Sequence, residues 1–208
     1  MNQKEILKKL KESAKVYKEN LQNTNLLIIY SKNKKVEYIE IKFLARNFMH
    51  LTGVRSIQSN EKYKKANQFY NACLNNKLSY KDIIIKDDGT TKLKLDIILN
   101  LVNMDKNCKM LGMYDNSKER LITDMLIGNI HMCVGLIKEQ GKYYIPNTLL
   151  KEDIRKLTVE QYRIMGILKK KVYEEKYQTT YINKKLDINT INENIELCDK
   201  IDMEILIK

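Results

Sequence analysis

Between residues 108 and 175 lie five segments of strand character: CKMLGMYD (108–115), RLITDMLIG (120–128), HMCVGLIKE (131–139), KYYIP (142–146) and YRIMGILKKKVYEE (162–175). Connections such as GNI and EQGK are too short for the helical crossover that parallel neighbours need, so these strands must run mostly antiparallel. Ahead of them, residues 3–21 set Ile6, Leu7, Leu10, Ala14, Tyr17 and Leu21 at helical spacing with lysines opposite. LLIIYS (26–31) and VEYIEIKF (36–43) flank the polar SKNKK as a hairpin, and 44–56 reads as a strand exit and loop. Residues 61–75 carry Tyr63, Ala66, Phe69, Tyr70, Cys73 and Leu74 on one helical face. In 86–104, the turn DDGTT precedes Leu93, Ile97, Leu101 and Met104, the spacing of a buried helix. Pro146 is expected to end the strand KYYI, with Asn147 or Thr148 capping a short helical turn.

Helices first and consecutive strands afterwards predict an α+β fold: N-terminal helices, a mostly antiparallel sheet and a C-terminal helical tail over 189–207. Residues 1–180 are expected to form a single domain and 181–208 an acidic helical extension. The order argues against a doubly wound nucleotide-binding fold, and neither GxxxxGK[ST] nor GxGxxG occurs. Cys73, Cys108, Cys133 and Cys198 lie far apart without a CxxC pair, which suggests neither a disulfide framework nor a zinc site. No cofactor is expected. No run reaches the roughly 18 apolar residues of a membrane span, and the opening MNQKEILKKL lacks the apolar stretch of a secretory leader. The expectation is a soluble cytoplasmic protein with no membrane partner.

The 208 residues carry a net charge of +12, with 38 basic against 26 acidic groups. An excess of that size favours polyanionic partners, nucleic acid first. Lysine supplies 33 of the basic residues and arginine five, in a chain also rich in Asn and Ile, so AT-rich codons explain part of it. The charge gathers in 1–35 (+6) and 162–185 (+5), while 186–208 is acidic (−4) and is expected to pack on 162–185. Tyrosines interleaved with lysine in 171–185 suit stacking on unpaired bases and equally suit a twisted edge strand.

Only His50 and His131 offer an imidazole. His50, in FMHLTG beside Thr52, Gly53 and Arg55, can exchange a proton with a nucleophile while the arginine holds a phosphate. The same context suits a histidine held by a structural hydrogen bond. His131 opens a strand and reads equally as a half-buried strand residue. Thr90, Thr91, Lys92 and Lys94 sit at a helix start, where free N–H groups favour an anion; capped threonine and solvated lysines account for them as well.

IEIKFLARNFMHLTGV (39–54), ANQFYNACLNNKLS (66–79), DDGTTKLKLDIILNL (87–101), LITDMLIGNIHMCVGLI (121–137) and YYIPNTLLKEDIRKLT (143–158) together resemble the fourth phage-associated barnase/EndoU/colicin/RelE-like nuclease family, within the BECR ribonuclease superfamily. The resemblance spans about residues 10–175. It implies helices followed by a four-stranded antiparallel sheet, and metal-independent RNA cleavage through a 2′,3′-cyclic phosphate, in a toxin or anti-host factor of a phage or mobile element. It implies His50 as base or acid, Lys92 as phosphate stabiliser, and Asn147 and Thr148 as substrate-positioning groups, Thr148 counted with the catalytic set. Arg55 joins by proximity, Thr91 and Lys94 from the helix start, and Asn129 in IGN, as substrate-binding candidates. The expected partners are RNA, tRNA among the candidates, and an inhibitor or host protein. The alternative is a non-catalytic inhibitor or nucleic-acid-binding protein, indifferent to His50→Ala; no helix-turn-helix supports a transcription regulator.

Overall fold

The computed structural model describes residues 1–56, 63, 65–118, 121–139, 141, 143–186, 189, 191 and 194–202. Helix α1, Gln3–Asn20, opens with a reciprocal cap: Asn2 Oδ1 accepts from the Glu5 N–H at 3.0 Å, and Glu5 Oε2 accepts from the Asn2 N–H at 2.8 Å. Its apolar stripe Ile6, Leu10, Ala14 and Tyr17 is buried. Tyr17 packs edge-on against Phe43, Phe48 and Tyr70, and its hydroxyl donates to the Leu44 carbonyl at 2.9 Å. The expected hairpin forms from β1, Thr24–Lys32, and β2, Lys35–Phe43.

Residues 47–52, expected as loop, form helix α2, Asn47–Thr52. Asn47 Oδ1 accepts from the Leu44 N–H at 2.9 Å, Phe48 and Leu51 are fully buried, and Gly53 ends the helix at φ +70°. Strand β3, Arg55–Ser56, pairs with β4, Ile83–Ile84. Helix α3, Ala66–Leu74, lies between them; the first residues of the helix expected over 61–75 fall outside the described residues. Helix α4, Thr90–Ile97, continues as a 3-10 stretch, Ile98–Asn103, and the short α5, Met104–Asn107, so the segment is helical from Thr90 with Ile97, Leu101 and Met104 buried as expected, but Leu93 is exposed.

The consecutive strands are β5, Met110–Tyr114, β6, Met125–Gly128, β7, Cys133–Lys138, β8, Tyr143–Leu150, β9, Thr158–Lys171, and β10, Gln178–Ile182. Eight strands join one sheet rather than four, in the order β1-β2-β8-β7-β6-β5-β9-β10. The extra members are the N-terminal hairpin and the long β9, which pairs β5 along its first half and β1 along its second and so closes the sheet into a ring. Every pairing is antiparallel except β2 with β8, which meet in parallel over Glu40–Tyr143 and Ile41–Tyr144.

Pro146 does not end its strand. Register shifts between Gly135 and Leu136 opposite it, and the bulge accommodates a residue without an N–H. Asn147 and Thr148 therefore lie within β8 and cap no helix. Beyond Tyr144, β8 has no second strand neighbour among the described residues; α2 and α4 pack against β8 instead.

The continuous run LLII in β1 is explained by two-sided burial. Leu26 and Ile28 face the core shared with the helices, while Leu27 and Ile29 face a second apolar cluster with Leu168, Tyr177, Ile191, Leu197 and Ile201. The tail thus docks on β1 and on the 162–185 segment through a short helix, Ile195–Lys200, and a bridge between Tyr177 and Ile201. Of the interleaved tyrosines, Tyr177 is buried there and donates to Glu40 Oε2 at 2.9 Å, and Tyr173 is exposed. The tail beyond residue 202 lies outside the described residues. No described helix is long and apolar enough to cross a membrane, and the four cysteines are unpaired.

Candidate active site

Residues 44–109 leave the sheet after β2 and return to it at β5, and the face they turn toward β8 encloses a cleft of about 420 Å³. From this excursion come His50 at the last turn of α2, Arg55 on β3, Lys86 after β4, and Lys94 on α4. From the sheet side come Ile122, Asn147 and Thr148. Among the described residues lining the cleft there is no carboxylate, so it presents an imidazole and three cations to whatever enters.

Lys94 organises the floor. Its stem passes Gly53, where an added Cβ would lie 2.8 Å from Lys94 Cδ, so the absent side chain makes the passage. Its ammonium donates to Thr148 Oγ1 at 2.8 Å, and among the described residues it forms no ion pair. Burial first, then the neighbouring Lys86 charge, lowers its pKa from 10.5 to about 8, with Asp88 pulling the other way. Thr148 itself is buried, and Gly135 opposite leaves room for it: a Cβ there would come within 2.5 Å of Thr148 Cγ2.

The His50 imidazole has no hydrogen-bond partner among the described residues, while the residue's carbonyl accepts from the Gly53 N–H at 3.2 Å. Partial burial and the Lys94 charge hold its imidazole below the usual histidine pKa, which keeps it neutral and able to accept a proton at pH 7. Asn147 is oriented by its amide, which donates to the Ile122 carbonyl at 2.7 Å.

The other candidates lie elsewhere. Thr91 is buried beneath the cleft and ties its parts together, donating to the Gly53 carbonyl at 3.0 Å while its oxygen accepts from the Lys86 N–H at 3.3 Å. At the start of α4, Asp88 Oδ1 already takes the Thr90 N–H and hydroxyl, at 2.9 and 2.7 Å, so the expected anion grip is occupied by a carboxylate of the chain. Lys92 is exposed and lines a separate cleft with Met1, Asn2, Tyr80 and Asp87. Asn129 closes the β6–β7 turn, its Oδ1 accepting from the His131 and Met132 N–H groups at 2.7 and 3.1 Å. His131 is outside the cleft, in that turn rather than in a strand. Lys86 was not singled out by sequence; a lysine just before the DDGTT turn was its only signal.

The structure thus brings His50, Arg55, Lys94, Asn147 and Thr148 together and leaves Lys92 and Asn129 outside. Residues 9–186 match the family model described as phage-Barnase-EndoU-ColicinE5/D-RelE like nuclease 4. The chain belongs to this nuclease family. The match takes in the whole excursion, the closed ring and every residue of the cleft. No curated protein and no solved structure matches the chain. Among the described residues no group of three or more His, Cys, Asp and Glu side chains is placed to hold a metal ion.

Proposed function

We propose that this member of the nuclease family is an endoribonuclease whose chemistry is carried by His50 and the Lys94–Thr148 pair. The observation that carries the reading is Lys94 Nζ at 2.8 Å from Thr148 Oγ1, unpaired with any described carboxylate, in one cationic cleft with His50. A cation that is desolvated and left without a carboxylate costs stability, and an arriving phosphate would compensate for it.

In the proposed reaction His50, neutral at pH 7, removes the proton of a ribose 2′-OH. The 2′-oxygen forms a bond to the adjacent phosphorus as the P–O5′ bond breaks, the departing 5′-oxygen takes up a proton from solvent, and His50 returns its own to solvent. The products are a 2′,3′-cyclic phosphate and a 5′-hydroxyl. Lys94, Arg55 and Lys86 offset the charge that accumulates on the phosphorane, and Thr148 and Asn147 fix where its oxygens lie. Among the described residues the lining offers an imidazole, three cations and two polar side chains, and the reading assigns proton transfer and charge stabilisation to these.

The test incubates purified protein with total RNA and tRNA in EDTA, beside His50→Ala and Lys94→Met. Cleavage to cyclic-phosphate ends by the wild type, at least tenfold slower in both variants and absent on strands with 2′-deoxyribose at the cut site, is the expected result. Intact RNA throughout, with binding unaffected by His50→Ala, overturns it. The unpartnered imidazole favours one second reading, a binding protein that holds RNA in this cleft without cutting it; salt-sensitive binding without products would establish that one.

A further inference from the structure

The cleft does not end at Lys94. A second hollow of about 230 Å³ lies on the far side and shares Lys86, Lys94, Leu121 and Thr148 with the first. These four residues form the junction of one bent groove. The second arm alone falls below the roughly 300–1,000 Å³ of a self-contained ligand pocket, so it reads as one compartment of a longer site. Its character differs from the first arm. Leu93, 47% exposed on α4, and the half-buried Leu150 face it, with Leu149 buried behind them, and Thr90, Lys151 and Glu152 form the polar rim.

This division fits one kind of polymer. The cations at the junction suit a phosphate, whereas the leucine wall suits a flat, weakly polar ring and offers a phosphate no donors. Glu152, the one carboxylate among the described residues lining either arm, would repel a phosphate but accepts from the N–H edge of a base. We infer that the second arm is a nucleoside subsite, taking the base and sugar of one nucleotide bonded to the phosphate held at Lys94 and Thr148, so that the strand threads both arms. The inference rests on the reading of the cleft as an RNA site and adds to it the requirement for a base beside that phosphate.

Leu93 is the residue to change, because its exposure lets it become serine without disturbing the buried face of α4. The probes are deoxy strands with a single ribonucleotide, either intact or lacking the base on one or the other side of the scissile phosphate, and their uncleavable all-2′-O-methyl versions. Covering the exposed half of a leucine is worth about half of a full burial, so Leu93→Ser should lower kcat/KM on the intact strand about fivefold, through KM. The same variant should leave unchanged the already weakened cleavage of one of the two abasic strands, and the salt dependence should not move, because a leucine holds no phosphate. An equal loss on all three strands, or no loss on any, overturns the subsite. If nothing is cut, binding of the uncleavable strands decides separately. A fivefold loss confined to strands with the base in place keeps the subsite while the endoribonuclease reading fails, and uniform or absent binding ends the subsite.

Discussion

Replacing Lys94 by methionine isolates the ammonium from its stem, which methionine copies past Gly53. A hydrogen bond from a charged donor contributes about 1.5–3 kcal/mol, so loss of the group that faces the phosphate should lower kcat/KM about 10- to 150-fold. Each phosphate-facing cation contributes about 0.7 to the salt slope on a single strand, so the slope should ease from about −2, for Arg55, Lys86 and Lys94, to about −1.4. Stability should move the other way. The folded pKa of Lys94, about 8, lies below its ordinary 10.5. The unfolded chain therefore binds more protons between those values, and wild-type stability gains from this group as pH rises through that window. Below pH 8 the whole penalty is present, so Lys94→Met should melt no lower than wild type there, and the pH-dependent gain should vanish in the variant. The assays are cleavage of a fluorescent oligonucleotide against salt, and thermal melts at pH 7 and 10. A melting loss that tracks the activity loss, or an unchanged salt slope, would refute the assignment of Lys94 to the phosphate.

In activity profiles, wild-type affinity for RNA should fall as pH rises through about 8, because Lys94 loses its charge, and Lys94→Arg should hold affinity constant there. The acid limb of kcat/KM should lie below the usual histidine value, because the His50 pKa is lowered, and be absent from the residual activity of His50→Gln. Gly53→Ala places a side chain at φ +70° and against Lys94 Cδ, so it should cost about 1 kcal/mol or more in denaturant melts and lower kcat, with little further loss of kcat when combined with Lys94→Met. Leu197→Ala, at a side chain fully buried where the tail meets β1, should cost about 2–5 kcal/mol in stability while the cleavage constants of the folded protein stay unchanged.

Where a segment's own periodicity decides its structure, the sequence was readable. Helix α1, the hairpin and the antiparallel run followed from spacing and turn residues, and His50 stood out because imidazoles are scarce. Helix α2 was missed because six residues give one turn and a half, too little for a period to show, although Phe48, Leu51 and Gly53 carried its face and its end. The choice of Lys92 as phosphate stabiliser rests on the family resemblance, not on the helix face. Thr91, Leu95 and Ile97 are the buried residues of α4, and at 100° per residue Lys94 falls within their arc and Lys92 outside it. That this arc meets Thr148 of β8 is decided by packing across more than 50 residues of chain. The closed ring was hidden too, since nothing local tells β9 that its second half will meet β1.

The cations of the cleft all arise from the excursion between β2 and β5, whereas the ring contributes polar and apolar groups with no charge. Two separable inheritances follow. The ring is a closed frame whose ladder hydrogen bonds do not depend on which substrate is bound, and the excursion is an interchangeable tool seated on it. Loss of cutting with retention of binding is therefore reachable by changes within 44–109 alone, while Thr148 stays as the fixed point against which any new set of cations must be aimed.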